Sequence, residues 1–296
     1  MVNQSIMQVI DFRVRPPVKP FSSTFTEWPD HLKAYVDVFK LSEIVKENNG
    51  KEPFISIDEF FQLMDKSSVN KAVVFATDTE KTGGSKITNN DVSDFVKKYP
   101  DRFIGFAGID PNKGMDAVRE LDVAVRDLGL KGLNVTPCSH KLRSNDKKFY
   151  PVYAKCVELD IPIAMHTGIN FSTELPIDFG NPIYLDEVGC DFPELKIIMT
   201  HAAWPWTAEA CALAWKNKNV YLDISSVAPK YIGSSRSGWD PVFQFANSIL
   251  QDQILFGTNW PMIPFDRSIR EFLELPFKEE VKEKILHKNA FKLLQL

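Results

Sequence analysis

The sequence predicts a (β/α)8 TIM barrel. Three observations carry that prediction. Eight short apolar segments recur along the 296 residues, each followed by a segment of helical periodicity. The strand segments are apolar on both faces, as parallel strands covered by helices are. No linker or break in composition divides the chain. Eight βα units in one uninterrupted chain point to a closed barrel. A doubly wound sheet is the rival, but it usually has fewer strands, and no glycine-rich GxGxxG loop follows the first one here. The chain is expected to be one domain over 1–296, with an insertion at about 18–56 after strand one.

The elements follow in order. Val9–Phe12 is the first strand. The insertion then carries four prolines between Pro16 and Pro29, and Asp30–Glu47 has helical spacing. Asp58–Lys66 reads as a helix with Ser56 as a cap. Lys71–Phe75 is strand two, and Asn90–Tyr99 a helix that Pro100 ends. Phe103–Ile109 is strand three. Met115–Leu128 puts Val118, Leu121, Val125 and Leu128 on one face and closes at Gly129. Gly132–Val135, Ile161–Met165, Lys196–Thr200, Val220–Ile224 and Ile254–Phe256 are strands four to eight. Helices are expected between them at Lys148–Leu159, Ile183–Val188, Thr207–Lys216 and Pro241–Leu250. Three helical segments close the chain at Ser268–Leu273, Lys278–Leu286 and Asn289–Leu294.

Composition narrows the function. Thirty-five basic and 39 acidic residues give a net charge of −4, with no basic block, so a dedicated nucleic-acid binder is not expected. No run of 18 apolar residues spans a membrane. The first ten residues lack a basic n-region and a long apolar h-region, so no secretory leader is expected. Cys138, Cys156, Cys190 and Cys211 form no CxxC pair. Reduced thiols in a cytoplasm are the simplest reading.

Barrel chemistry sits at the C-terminal ends of strands. The polar residues there are Arg13 and Arg15, Thr77 and Asp78, Asp110, Asn134 and Thr136, His166, His201, Asp223 and Ser225, and Asn259. The other histidines, His31, His140 and His287, fall in an insertion, a loop and a surface helix, where solvation explains them.

These strand ends resemble the amidohydrolase superfamily, in the branch that holds aminocarboxymuconate semialdehyde decarboxylase and resorcylate decarboxylase. The stretches are IDFRVRPP at 10–17, GFAGIDP at 105–111, KGLNVTP at 131–137, PIAMHTG at 162–168, IIMTHAAWPW at 197–206, NVYLDISS at 219–226 and ILFGTNWP at 254–261. The resemblance implies the same barrel, a hydrolase or decarboxylase activity, and commonly a homodimer. It also implies a divalent metal held by HxH at strand one, a histidine at strand five and an aspartate at strand eight. Here HxH is replaced by Arg13 and Arg15, and the aspartate by Asn259. His166 stands at the strand-five position. His201 stands where the family has an acid/base residue that is sometimes a ligand.

Zinc takes three or four N, S or carboxylate ligands, and a guanidinium has no lone pair to give. One arginine at about 4 Å repels a divalent ion by roughly 8 kcal/mol at an effective dielectric of about 20. The expectation is therefore no cofactor, with a divalent metal at His166, helped by Asp78, Asp110 or Asp223, as the residual option.

In its place, Arg13 and Arg15 are expected to hold an anion. Two residues apart on a strand, they face the same side. A guanidinium holds a carboxylate through two parallel charge-assisted bonds. The alternative is that they form salt bridges inside the barrel with Asp110 or Asp223. His201 and His166 are the candidate catalytic residues, with arginines nearby favouring the neutral imidazole. Asn134, Asn259, Trp204 and Asp223 complete the expected substrate contacts. Trp204, Trp206 and Trp260 form an apolar wall or simply pack. Cys138 is a poor nucleophile, with no helix start or base evident beside it.

The reading is an enzyme on a small organic acid, a decarboxylase or hydrolase, metal-independent. A metal-dependent hydrolase with unusual ligands and a non-catalytic acid-binding barrel are the alternatives.

Overall fold

The computed structural model describes residues 8–22, 30–40 and 55–296. Eight parallel strands curl into one sheet: β1 (Val9–Asp11), β2 (Val69–Phe75), β3 (Phe103–Gly108), β4 (Leu133–Val135), β5 (Ile163–Met165), β6 (Ile197–Met199), β7 (Val220–Asp223) and β8 (Ile254–Leu255). They lie side by side in chain order. This is the (β/α)8 architecture the sequence predicts. β1 and β8 share no ladder, yet their extensions bridge the seam. Phe12 N–H donates to the Phe256 carbonyl at 2.9 Å, and Arg15 N–H to the Trp260 carbonyl at 3.0 Å. The Asp11 carboxylate adds to this by accepting from Thr258 N–H and Oγ1–H, at 3.0 and 2.6 Å.

Side-chain alternation builds two apolar layers. Ile10, Phe12, Val73, Phe75, Ile104, Phe106, Ala164, Ile198 and Leu255 fill the inside. Val9, Ala72, Val74, Leu133, Ile163, Ile197, Val220 and Ile254 face the helices. Residues of the last helical stretch, Ala290, Leu293 and Leu294, join the inner layer. The inside is thus packed at its centre, and only its C-terminal mouth is free for polar side chains.

Helices obey the expected signals. Ile57–Lys66 starts on a capping box in which Ser56 and Glu59 exchange hydrogen bonds. The helix before β3 starts one residue early, at Asn89, on a second such box made by Thr88 and Asp91. The expected helix at Lys148–Leu159 spans Tyr150–Glu158, with Pro151 in its first turn. The expected Asp30–Glu47 helix is a 3-10 turn at Asp30–Leu32 and a helix at Lys33–Val38 that ends in a turn at Phe39 and Lys40; residues 41–47 lie outside the described residues. A ribbon of Thr77–Asp78 against Lys86–Ile87 after β2 was not anticipated. Those two pairs are too short to show a period of two.

Candidate active site

The mouth is built by the residues that leave each strand. Arg13 is only 4% exposed. Its backbone N–H is held by Asp11 Oδ1 at 3.0 Å, and its Nη1 donates to Asn134 Oδ1 at 3.3 Å. Arg13 Nε is buried without a hydrogen-bond partner among the described residues. Arg15 Nη1 donates to Asn259 Oδ1 at 2.7 Å. Both guanidiniums sit over the ring of Phe75, 4.3 and 5.1 Å from its centroid. A desolvated contact of this kind stabilises a cation by up to about 2 kcal/mol. Burial, then the charge of Arg15, lowers the pKa of Arg13 to about 10, so it stays a cation at neutral pH.

Among the described residues neither arginine forms an ion pair with a carboxylate. The two acids weighed as partners are engaged elsewhere. Asp110 lies 3.5 Å from His140 Nδ1 and accepts the backbone N–H groups of Lys81 and Asn112. Asp223 accepts from Ser225, and it acts on Arg13 through space only.

His166 and His201 face each other edge to face, ring centroids 5.1 Å apart. His166 Nδ1 is buried without a hydrogen-bond partner among the described residues. Its pKa is lowered to about 3 by burial first and then by the charges of Arg13 and Arg15. His201 is held well below the usual imidazole range by burial, His166 and Arg13. Its Nδ1 meets Ser225 Oγ at 2.9 Å and the Ser225 carbonyl at 3.2 Å. The backbone is left-handed at His201 (φ 60°), Ala202 (φ 42°), Ala203 (φ 55°), Ser226 (φ 63°) and Asn259 (φ 58°). Such conformations cost roughly 1–3 kcal/mol each in non-glycine residues and gather at functional sites.

Two glycines let these loops approach. A Cβ on Gly257 would stand 2.9 Å from Ser225 Cβ and 3.0 Å from Asp223 Oδ1. One on Gly168 (φ +85°) would stand 2.6 Å from the Trp204 carbonyl.

Arg13, Arg15, His166, His201, Trp204 and Asn259 all line one open cavity, of about 1290 Å³ among the described residues. Asn134 and Asp223 do not. Asn134 is buried behind Arg13, and Asp223 is buried beneath Ser225. Trp260 packs on Phe60 and Phe265, so for it the packing reading holds. Cys138 reaches the cavity, but burial pushes its thiol up to about 11, which leaves no thiolate to act. His140 is 2% exposed rather than solvated, because the turn Pro137–His140 packs it against Asp110 and Phe149.

The sequence reading missed three participants. Phe75 read as the apolar end of a strand, yet it carries both guanidiniums. Tyr35 comes from the insertion, lines the cavity and shares a hydrogen bond with Asn259. Its spacing from strand one gave no signal. Asp11 is wholly buried at the seam, and burial raises its pKa to about 7. An acid inside a strand was the available clue.

The amidohydrolase family model matches residues 10–296. This chain belongs to the amidohydrolase family. An uncharacterized TIM-barrel protein of Bordetella bronchiseptica is 30% identical, with a TM-score of 0.79 over 97% of this chain and 98% of that one. The gamma-resorcylate decarboxylase of Polaromonas sp. is 23% identical over 317 residues, 91% of each chain. The chain spans only 15% of the length of another curated relative, protein fluG of Emericella nidulans, at 27% identity over 135 residues. A dihydroxybenzoic acid decarboxylase of Polaromonas, solved with bound manganese and 2-nitroresorcinol, shares the fold at TM-score 0.66 and 19% identity, over 98% of this chain and 97% of that one. As an amidohydrolase-family member this chain is an enzyme of the hydrolase or carboxy-lyase type.

The expectation of no cofactor is corrected by these structures. Decarboxylases that share this fold, at 19% and 16% identity, are solved with bound manganese, so the fold itself gives no ground for expecting none. The side chains at this mouth do not match a metal-donor set. Two are guanidiniums and one is a neutral amide, and among the described residues no three His, Cys, Asp or Glu side chains gather around one point. Among the described residues no helix is long and apolar enough to cross a membrane.

Proposed function

We propose that this amidohydrolase decarboxylates a small aromatic acid whose carboxylate is held by Arg13 and Arg15. The observation that carries the reading is the pair of guanidiniums stacked over Phe75, free of any carboxylate partner among the described residues and open to the cavity. Two cations at a buried mouth call for an anion. A planar carboxylate fits the planar fork of each arginine. Aromatic walls from Tyr35, Phe171 and Trp204 suit a ring behind it. The decarboxylase names of the relatives supply the substrate class.

In this reading His201 moves the proton. With a carboxylate on the arginines, their charge is offset and a proton on His201 becomes less costly. His201 takes that proton from solvent at Nε2, through the open cavity, and delivers it to the ring carbon. The carbon–carbon bond breaks, its electron pair forms the new C–H bond, and carbon dioxide leaves. His166 closes the cavity wall beside His201, the two rings edge to face. Asn259 holds Arg15 in place. A cytoplasmic setting belongs to the same proposal and is supported by the four cysteines, all free.

The test is turnover of 2,6-dihydroxybenzoate, with manganese supplied, followed by carbon dioxide release. Release that is lost in His201→Ala supports the proposal. Saturable binding of this acid and related aromatic acids without any release would identify a binding barrel instead.

A further inference from the structure

We propose that Ser225 is a positioning residue that fixes the tautomer of His201 and leaves its Nε2 bare toward the cavity. This rests on the reading of His201 as the proton carrier, but its evidence is geometric. Asp223 is fully buried at the end of β7. Its Oδ1 accepts the Ser225 backbone N–H at 2.6 Å, and its Oδ2 accepts the Ser225 hydroxyl at 3.0 Å. The hydroxyl proton is thereby committed to the carboxylate. Ser225 Oγ then offers only a lone pair to His201 Nδ1, 2.9 Å away. The Ser225 carbonyl, 3.2 Å from the same nitrogen, can only accept. Both neighbours of Nδ1 are acceptors, so Nδ1 carries the hydrogen. A neutral imidazole holds one ring proton, and Nε2 is left as the base.

The left-handed turn at His201 and Ala202 brings the ring back over β7 to make these contacts. Gly257 makes room for them, since a Cβ there would press on both Ser225 and Asp223. The relay therefore runs Asp223, Ser225, His201, and each link has its direction set by chemistry.

Asp223→Asn reverses it. The amide oxygen must stay on the Ser225 N–H, so the amide NH2 takes the place of Oδ2 and donates to Ser225 Oγ. The hydroxyl then turns its proton onto His201 Nδ1 at 2.9 Å, a closer contact than the Ser225 carbonyl at 3.2 Å, and the ring shifts its hydrogen to Nε2. Histidine-15N-labelled protein reports this directly through long-range 1H–15N correlations. The wild type should show His201 as the Nδ1–H form, and Asp223→Asn as the Nε2–H form, with kcat on 2,6-dihydroxybenzoate down by about a hundred-fold or more and KM little changed. Ser225→Ala keeps the carbonyl and should lower kcat by about ten-fold, with Ser225→Thr restoring it. A wild-type spectrum in the Nε2–H form, or an unchanged tautomer in folded Asp223→Asn, would overturn the proposal. If Asp223→Asn does not fold, equal kcat in folded Ser225→Ala and wild type overturns it. A tautomer that switches while turnover is unaffected supports the relay and removes His201 from the proton transfer.

Discussion

Arg15 Nη1 and Asn259 Oδ1 lie 2.7 Å apart, joining the extension of β1 to that of β8. Asn259, on the extension of β8, is a neutral amide where the amidohydrolase resemblance leads one to expect aspartate. A carboxylate there would pair with Arg15 and cancel its charge. The amide positions the guanidinium and leaves the charge for a ligand.

That relationship gives the first prediction. Asn259→Asp should weaken binding of 2,6-dihydroxybenzoate by about ten-fold or more, since the acid must displace an internal carboxylate from Arg15. Titration calorimetry at low salt measures it. An unchanged Kd would show that Arg15 does not face the ligand.

His201→Ala should lower turnover by about 10²–10⁴-fold with modest change in ligand affinity, the loss expected for a general acid or base. Steady-state kinetics on 2,6-dihydroxybenzoate separate kcat from KM. A change confined to KM would make His201 a binding residue.

Stability should fall as pH drops from about 6.5 to about 4 because of His140. Burial lowers its folded pKa to about 4, against an ordinary value of 6.5. In that window the unfolded chain binds a proton that the folded chain refuses, so unfolding gains as pH falls. The contribution is fully present above about 6.5. His140→Gln should flatten the slope of Tm against pH between these limits, whatever its effect on Tm itself. An identical slope would contradict the buried neutral imidazole.

Gly257→Ala should destabilise the fold by about 1–3 kcal/mol, as overpacking does, because its Cβ would meet Ser225 Cβ at 2.9 Å and Asp223 Oδ1 at 3.0 Å. Denaturant unfolding measures it. A neutral substitution would mean that β7 and β8 can part at the mouth without cost.

Much of this architecture was legible in the sequence, and the exceptions have physical causes. The eight strands could be read because buried parallel strands are short, apolar and β-branched, and helices with matching stripes follow them. Arg13, Arg15, His166, His201 and Asn259 could be found because a barrel exposes strand ends at one mouth. Asn134 and Asp223 obeyed the same rule, yet they serve as supports behind Arg13 and Ser225. Position along a strand does not say whether a side chain reaches the cavity or stops beneath another. Phe75 was hidden because an aromatic face that carries cations looks, in sequence, like any core residue. Tyr35 was hidden because an insertion has no register against the barrel. His140 was misplaced because a short turn after β4 folds it inward, which no periodicity marks.

In this proposal Arg13 and Arg15 together bind the carboxylate of the substrate. The most direct measurement is the Kd of 2,6-dihydroxybenzoate for folded Arg13→Ala, Arg15→Ala and Arg15→Lys proteins, with Tm taken on the same samples. Each alanine variant should bind about ten- to a hundred-fold more weakly, the worth of roughly 1.5–3 kcal/mol for a hydrogen bond to a charged group. Lysine should recover only part of the loss at Arg15, because it lacks the planar fork. Alanine variants that lose stability but bind the acid as tightly as the wild type would contradict the account.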